Sequence, residues 1–537
     1  MQLIDQHTKT IMEGCKARAR SAGLEFCDET LEYIVTNRDL LELSAKSMIP
    51  SLYDYWVHDV DVLREKGRYE LYPSNPYETV VNTRPAISFY NDNNPDWLNV
   101  MIFYHVLAHM DFFQNNSYFQ ATWTDDFNGE ALSDKRMIAR LRSHHGRWVD
   151  YVIEFARGMD NLVGYFDTLY RMDQPEKTPR ERLVDYYFDH FLQEEKIPQI
   201  DYLKEIEQYN QALREDGPET GCDTFFAGVR KKHPEFEEKF RNWMESKQNG
   251  HKQDLLEFLL ENSDVLKTKE NKWMQSILEV VRKTSLFFQP QIRTKIMNEG
   301  WATYWHEQLF LDDDRISGHE VDFSRINSRV AALSRVGFNP YALGLRLFQS
   351  IEEKADAGKY GYEFEKLMDQ DARKKFNNGG GSGRELLFAI RRNLCDGLFI
   401  RRFVDQDFVD QHRLFVAGKR LNRARRTWEY YVKSRNVEDY RQMLLDNLYH
   451  PPSIRFAVDA DGVLELTHVF EGRPLVEDYI GNTMLGIEYL WGKPVTLTTH
   501  KVRQQQQQPD ENREEPEILW EKVKYTMKQR QLSMEWV

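Results

Sequence analysis

The chain has 537 residues, 41% hydrophobic and 29% charged, with 28 Gly and 18 Pro, a composition that excludes collagenous and low-complexity polymers and leaves ample material for a buried core. Its 72 Lys and Arg against 86 Asp and Glu give a net charge of −14, so neither nucleic acid nor an anionic membrane is the expected partner of the overall field. Cys15, Cys27, Cys222 and Cys395 show no C-x-x-C spacing, which argues against a thiolate metal knuckle or a disulfide framework and for a reducing compartment.

The N-terminus carries Asp5, His7 and Glu13 where a secretion signal needs an uninterrupted apolar run. The most apolar stretch, Trp97 to Met110, is broken by Asn99, His105 and His109 and falls short of a membrane span. A cytoplasmic address without a membrane span is therefore expected. Near Glu78 to Tyr90, TVV and AISFY flank a turn-like Asn82-Thr83-Arg84-Pro85, which predicts a strand pair. Asn94-Pro95-Asp96 then opens a buried helix that runs to Asn115-Asn116, where Asn suits a left-handed terminus. Apolar residues three and four apart over Arg136–Tyr170, Asp254–Phe288 and Tyr341–Lys354 predict a mainly helical body with a small β component.

Residues 377–383, NNGGGSG, read as a flexible loop or hinge between residues 1–376, the core, and a module over 384–502. From Arg384 to Arg435 thirteen basic residues face six acidic ones, and Lys419 to Arg426 reads as a basic helix face or a docking site. Residues 437–449, SIRFAV, the Asp461-Gly462 turn, VLELTHVF, 476–491 and PVTLTT predict an α-β-β-α-β order, an α+β module able to hold a protein partner. A polar linker over 503–516 and a terminal helix over 517–537 complete the expected order.

The chemistry concentrates in two segments. His105-Val106-Leu107-Ala108-His109 puts two imidazoles one helical turn apart on one face, where both reach a single divalent ion; a hydrogen-bonded pair of core histidines has the same spacing. Asn298-Glu299-Gly300-Trp301-Ala302 adds a carboxylate on another helix, completing a three-ligand set of His105, His109 and Glu299 with an open position. Two imidazoles and one carboxylate without a thiolate suit Zn²⁺. His306 lies two turns beyond Glu299, roughly 10.5 Å along the helix. It belongs behind the ligands or in the substrate cleft, orienting a ligand or donating a proton.

H-V-L-A-H followed by N-E-G-W-A is similar to the H-E-L-A-H and N-E-G-F-A pair of the gluzincin zinc aminopeptidases, whose downstream Glu is the third zinc ligand. More closely, the chain resembles the SpoVR family, the stage V sporulation protein R group of bacteria. HVLAHMDFFQNN (105–116), KIMNEGWATYWH (295–306), NPYALGL (339–345), GSGRE (381–385) and LWGKPVTL (490–497) carry that resemblance over most of the chain. It implies a cytoplasmic protein tied to spore cortex formation or, in bacteria that do not sporulate, to stress physiology. The family's His-Trp-Ser-Phe-Gly-Lys segment has no clear counterpart in SLYDYWVHDVDV (51–62).

Val106 stands where the gluzincin pattern has its general-base Glu, and valine cannot accept a proton. His306 and Glu307, on the helix that faces the metal, are the candidate replacements; Asp111 points away from the histidine face. Tyr341, opening a helix after Asn339-Pro340, and Tyr304 are candidates for stabilising an oxyanion. AISFY before the histidine helix is similar to the edge strand on which zincins align an extended substrate. The expected activity is metal-dependent hydrolysis of a peptide, amide or muropeptide-like bond on a zincin-like helical core. The alternative is a non-catalytic, metal-stabilised scaffold that works through its C-terminal module.

Overall fold

Helix prevails, as the apolar spacing predicts, and small sheets supply the rest. The computed structural model describes residues 2–36, 78–122, 127–164, 179–192, 199–248, 254–334, 336–379, 381–422, 427–502 and 520–537. The 51–62 segment and the 503–516 linker lie outside them. Two units form: residues 1–163 with 255–537, and residues 164–254. In the second unit, helices Gln199–Asp216, Pro218–Lys232 and Phe236–Gln248 surround an aromatic core of Tyr186, Tyr187, Phe191, Phe225, Phe226 and Phe236. No helix among the described residues is long and apolar enough to cross a membrane.

The first unit is organised around two helices. One begins with α1 (Gln6–Ser21) beside it and is itself α2 (Asp96–Asn115). Pro95 is extended at its N-cap and Asn116 extended at its C-cap, with φ −76° and ψ 130°. The helix therefore ends where the sequence places the end, but not through a left-handed Asn. Every residue from Leu98 to Phe113 is buried, so α2 presents no solvent face. After α3 (Phe127–His145), α4 (Trp148–Arg157) and α5 (Lys272–Arg293) comes α6 (Lys295–Leu311), which packs along α2. Its first turn is capped from outside: the amides of Ile296 and Met297 donate to the Asp396 carboxylate at 2.8 and 2.9 Å. Burial pushes that carboxyl up to about 7 against these two bonds.

Beyond α7 (Glu320–Val330), α8 (Pro340–Asp356) crosses α6 glycine on glycine. A Cβ on Gly300 would meet Gly344 Cα at 2.4 Å, and one on Gly344 would meet the Ile296 carbonyl oxygen at 2.3 Å. Next, α9 (Gly383–Asn393) sends Leu387 and Ile390 into the core that holds α2 and α6, together with α10 (Asp396–Phe403) and α11 (Val437–Asn447). The glycine run before α9 is thus no free hinge. Gly381 leaves only 1.6 Å between a Cβ and the Ala355 carbonyl oxygen, and Gly383 N donates to Asp356 at 2.7 Å.

In the first sheet β1 (Gln2–Leu3), β2 (Thr30–Val35), β3 (Glu78–Val81) and β4 (Ala86–Asn91) take the order β1-β2-β4-β3. The β3–β4 pair is antiparallel as expected, with Val80 opposite Ser88, but β4 also pairs in parallel with β2. AISFY is therefore an interior strand, and the edge-strand expectation is corrected. Of the basic stretch, Lys419 to Asn422 is strand and not helix, and 423–426 lie outside the described residues: Val416–Asn422 and Thr427–Ser434 form a two-stranded ribbon, β5 and β6, with Lys419 over the Trp428 ring.

The C-terminal order follows the reading as far as residue 502: α11, β7 (Ile454–Val458), β8 (Leu464–His468), α12 (Glu477–Trp491) and β9 (Val495–Val502). The expected terminal helix is instead a hairpin, β10 (Trp520–Lys528) and β11 (Gln531–Trp536). Val523, Tyr525 and Met527 alternate inward, and Gln529 and Arg530 both adopt positive φ, the turn geometry that a two-residue hairpin requires. The sheet runs β11-β10-β9-β8-β7 and shares its core with α3, α4 and α5.

Two outcomes follow. Gly344→Ala forces α8 away from α6 and lowers stability by about 1–3 kcal/mol or more in urea unfolding, because a backbone carbonyl cannot yield as a side chain can. Buried Asp313 receives the Tyr104 hydroxyl at 2.7 Å and Arg315 Nε at 2.9 Å. Burial alone would raise its carboxyl, but these bonds and the guanidinium charge hold it down at about 2. A depressed acid stabilises the fold fully above its unfolded value near 3.8 and loses that contribution as pH falls through about 2. Stability of Asp313→Asn measured between pH 5 and pH 2 therefore falls less steeply than that of the parent chain.

Candidate metal centre

Because α2 is buried on every side, each polar residue on it needs a partner from a neighbouring helix. Asp111 finds three, on the side of α2 away from the histidines: the Trp301 indole N–H at 2.8 Å, the Glu25 amide at 2.7 Å and the Arg391 guanidinium at 3.2 Å. Val106 is completely buried in the apolar core, where the gluzincin pattern would require a carboxylate.

His105 and His109 are each 6% exposed and lie edge to face, ring centroids 4.6 Å apart. From α6, Glu299 brings Oε2 to 3.6 Å from His109 Nε2. One ligand atom of each of His105, His109 and Glu299 lies within 4.8 Å of the other two. Glu299 Oε2 is buried and has no hydrogen-bond donor. An acceptor oxygen in that state costs free energy that a cation between it and the imidazoles would offset. The donor set and this orphaned oxygen fit a divalent ion.

The remaining candidates take graded positions behind or beside these three. His306 is 2% exposed, with Nδ1 at 2.9 Å from His105 Nδ1 and Nε2 at 3.0 Å from Asn327 Oδ1. Both its nitrogens are engaged, one with His105 and the other with Asn327. Glu307 accepts from Asn327 Nδ2 at 2.9 Å and from Gln349 Nε2 at 3.4 Å, one layer further out. Tyr341 stacks on the outer side of the pair, its ring 6.2 Å from that of His105 and tilted by 16°. Tyr304 donates to Glu352 and faces elsewhere.

Burial, then the charges that neighbouring His109 and His306 would carry, drive the His105 imidazole well below its usual range. Burial also pushes His306 down to about 4, against the opposing Asn327 bond. Both rings are thus held in the neutral form that a ligand needs.

Sequence reasoning missed Asn298, whose Oδ1 sits 2.9 Å from His109 Nδ1, although it is the first residue of the N-E-G-W-A segment. It also missed Asn327 and Asp396, for which no local signal exists. A glutamate introduced at Val106 brings a carboxylate into a site that is completely buried in the apolar core. Val106→Glu therefore lowers unfolding stability by at least ~3 kcal/mol, as chemical denaturation would check.

The profile of the family described as "SpoVR like protein" matches residues 3–450, a span that stops just before β7. The curated "Uncharacterized protein YcgB" of Escherichia coli (strain K12) is 24% identical over 487 residues, covering 86% of each chain. No solved structure matches the chain.

Proposed function

The chain belongs to the SpoVR-like protein family, and on that premise we propose a divalent-metal centre, Zn²⁺ by its donor set, that hydrolyses an amide or peptide bond in sporulation or stress physiology. The observation that carries the metal is the convergence of His105, His109 and the donorless Glu299 Oε2 from two helices far apart in sequence. Two imidazoles and one carboxylate suit Zn²⁺, with no thiolate in the set. When bound, such an ion supplies Lewis acidity toward a carbonyl oxygen.

The chain's own groups divide the remaining work. His105 and His109 hold the ion, Glu299 contributes the balancing charge, and His306 and Glu307 support His105 from behind. Tyr341, beside His105, is the phenol placed to stabilise an oxyanion. Since β4 is an interior strand, substrate alignment on AISFY is not part of this proposal. The substrate class is a soluble peptide or muropeptide-like amide.

A second reading is favoured by Val106 and by the depth of both histidines: the ion cross-links α2 to α6 in a regulatory scaffold that acts through the C-terminal module. Purified chain should be assayed for metal and for turnover of peptide and muropeptide libraries, beside His109→Ala and Glu299→Gln. The catalytic reading expects parent turnover and, in the folded variants, loss of both ion and activity. Metal retention without turnover, with variants that melt early, supports the scaffold. A parent chain that takes up no divalent ion under any loading condition removes both.

A further inference from the structure

A histidine binds a metal through a ring lone pair, so the position of the ring proton decides whether the ligand is ready. The hydrogen bonds around His105 settle this from the outside inward. A carboxylate only accepts; Asn327 Nδ2 therefore donates to Glu307 Oε2 at 2.9 Å, which turns Asn327 Oδ1 toward His306. A carbonyl oxygen also only accepts, so His306 Nε2, 3.0 Å away, carries that ring's proton. A neutral imidazole has one such proton, which leaves His306 Nδ1 an acceptor. The hydrogen in its 2.9 Å contact with His105 Nδ1 then belongs to His105. On this order of bonds His105 carries its lone pair on Nε2.

For His109 the route is shorter: Nδ1 donates to Asn298 Oδ1 at 2.9 Å, and Nε2 turns toward Glu299 at 3.6 Å. Consecutive residues of α6 thus do two jobs: Asn298 holds the back of the imidazole whose front meets Glu299.

We propose that Glu307, Asn327 and His306 form a positioning relay that fixes His105 with its proton on Nδ1, and that Asn298 does the same for His109. Both Nε2 lone pairs are then set before any ion arrives. The relay rests on the metal reading for its purpose but not for its existence, since it operates in the metal-free chain. Glu307, a candidate base from the sequence, is its anchor, and Asn327 is its directional element, because its amide donates at one end and accepts at the other.

The test uses the full-length chain labelled with ¹⁵N-histidine, metal-free near neutral pH, with the His105 signals assigned against His105→Gln. The expected spectrum shows a protonated Nδ1 and an unprotonated Nε2. Asn327→Leu, folded by circular dichroism, mixes the two tautomers and binds Zn²⁺ or Co²⁺ about 10- to 100-fold more weakly in chelator competition. Glu307→Gln, whose amide can donate as well as accept, no longer fixes Asn327 in one direction, and it mixes the tautomers as Glu307→Leu does. A parent His105 protonated on Nε2 overturns the relay. So does a folded Asn327→Leu with unchanged tautomer and affinity. If the parent binds no ion, the metal reading fails and the ring spectra alone judge the relay.

Discussion

Two polypeptide backbones touching at Gly300 and Gly344 set the position of α6, and much of the first unit is arranged around that contact. With any larger residue at either place, α8 would be displaced and α6 would lose its fixed place along α2. Close approach brings the N-E-G-W-A segment against the histidine helix, so that one short stretch provides the contact at Gly300, the carboxylate of Glu299 beside His109 and the Asn298 contact to the same ring. Asp396 completes the arrangement by capping the start of α6, where unpaired amides would otherwise lie buried.

Burial of α2 on all sides turns its polar residues into an accounting problem that the surrounding helices solve in different ways. Asp111 is neutralised and hydrogen-bonded by Trp301, Arg391 and the Glu25 amide, a closed arrangement with nothing left to offer. On the histidine side the accounts stay open: each Nδ1 has a partner, yet Glu299 Oε2 has no donor. A network satisfied at its rim and unsatisfied at its centre is what a cation site requires. Val106 fits this picture as a core residue, which separates the chain from a peptidase with its base on the same helix.

The parts legible in the sequence were those governed by short-range pattern. The start of α2 at Asn94-Pro95-Asp96, the β3–β4 pair and the α-β-β-α-β order all follow from spacing, turns and caps within a few residues. The terminal hairpin was misread because Gln529-Arg530 lacks the Asn-Gly chemistry that announces such a turn, and β10 alternates inward only once β9 is beside it. AISFY looked like an edge because its parallel partner, β2, lies far away in sequence. The glycine run read as flexible, although its missing side chains serve close packing against Ala355 and Glu352.

For the site, sequence alone determined which residue types share a helical face: His105 with His109 by four-residue spacing, and Glu299 at the start of a second helix. It also determined that Val106 could not act as a base. Tertiary structure decided that Glu299 comes within reach of the histidines, that His306 stands behind one of them, and that Glu307 anchors the layer beyond through Asn327. The reason is one of range. Helical spacing fixes neighbours over a turn or two, whereas the meeting of α2, α6 and α7 depends on backbone contacts between segments that no local pattern connects.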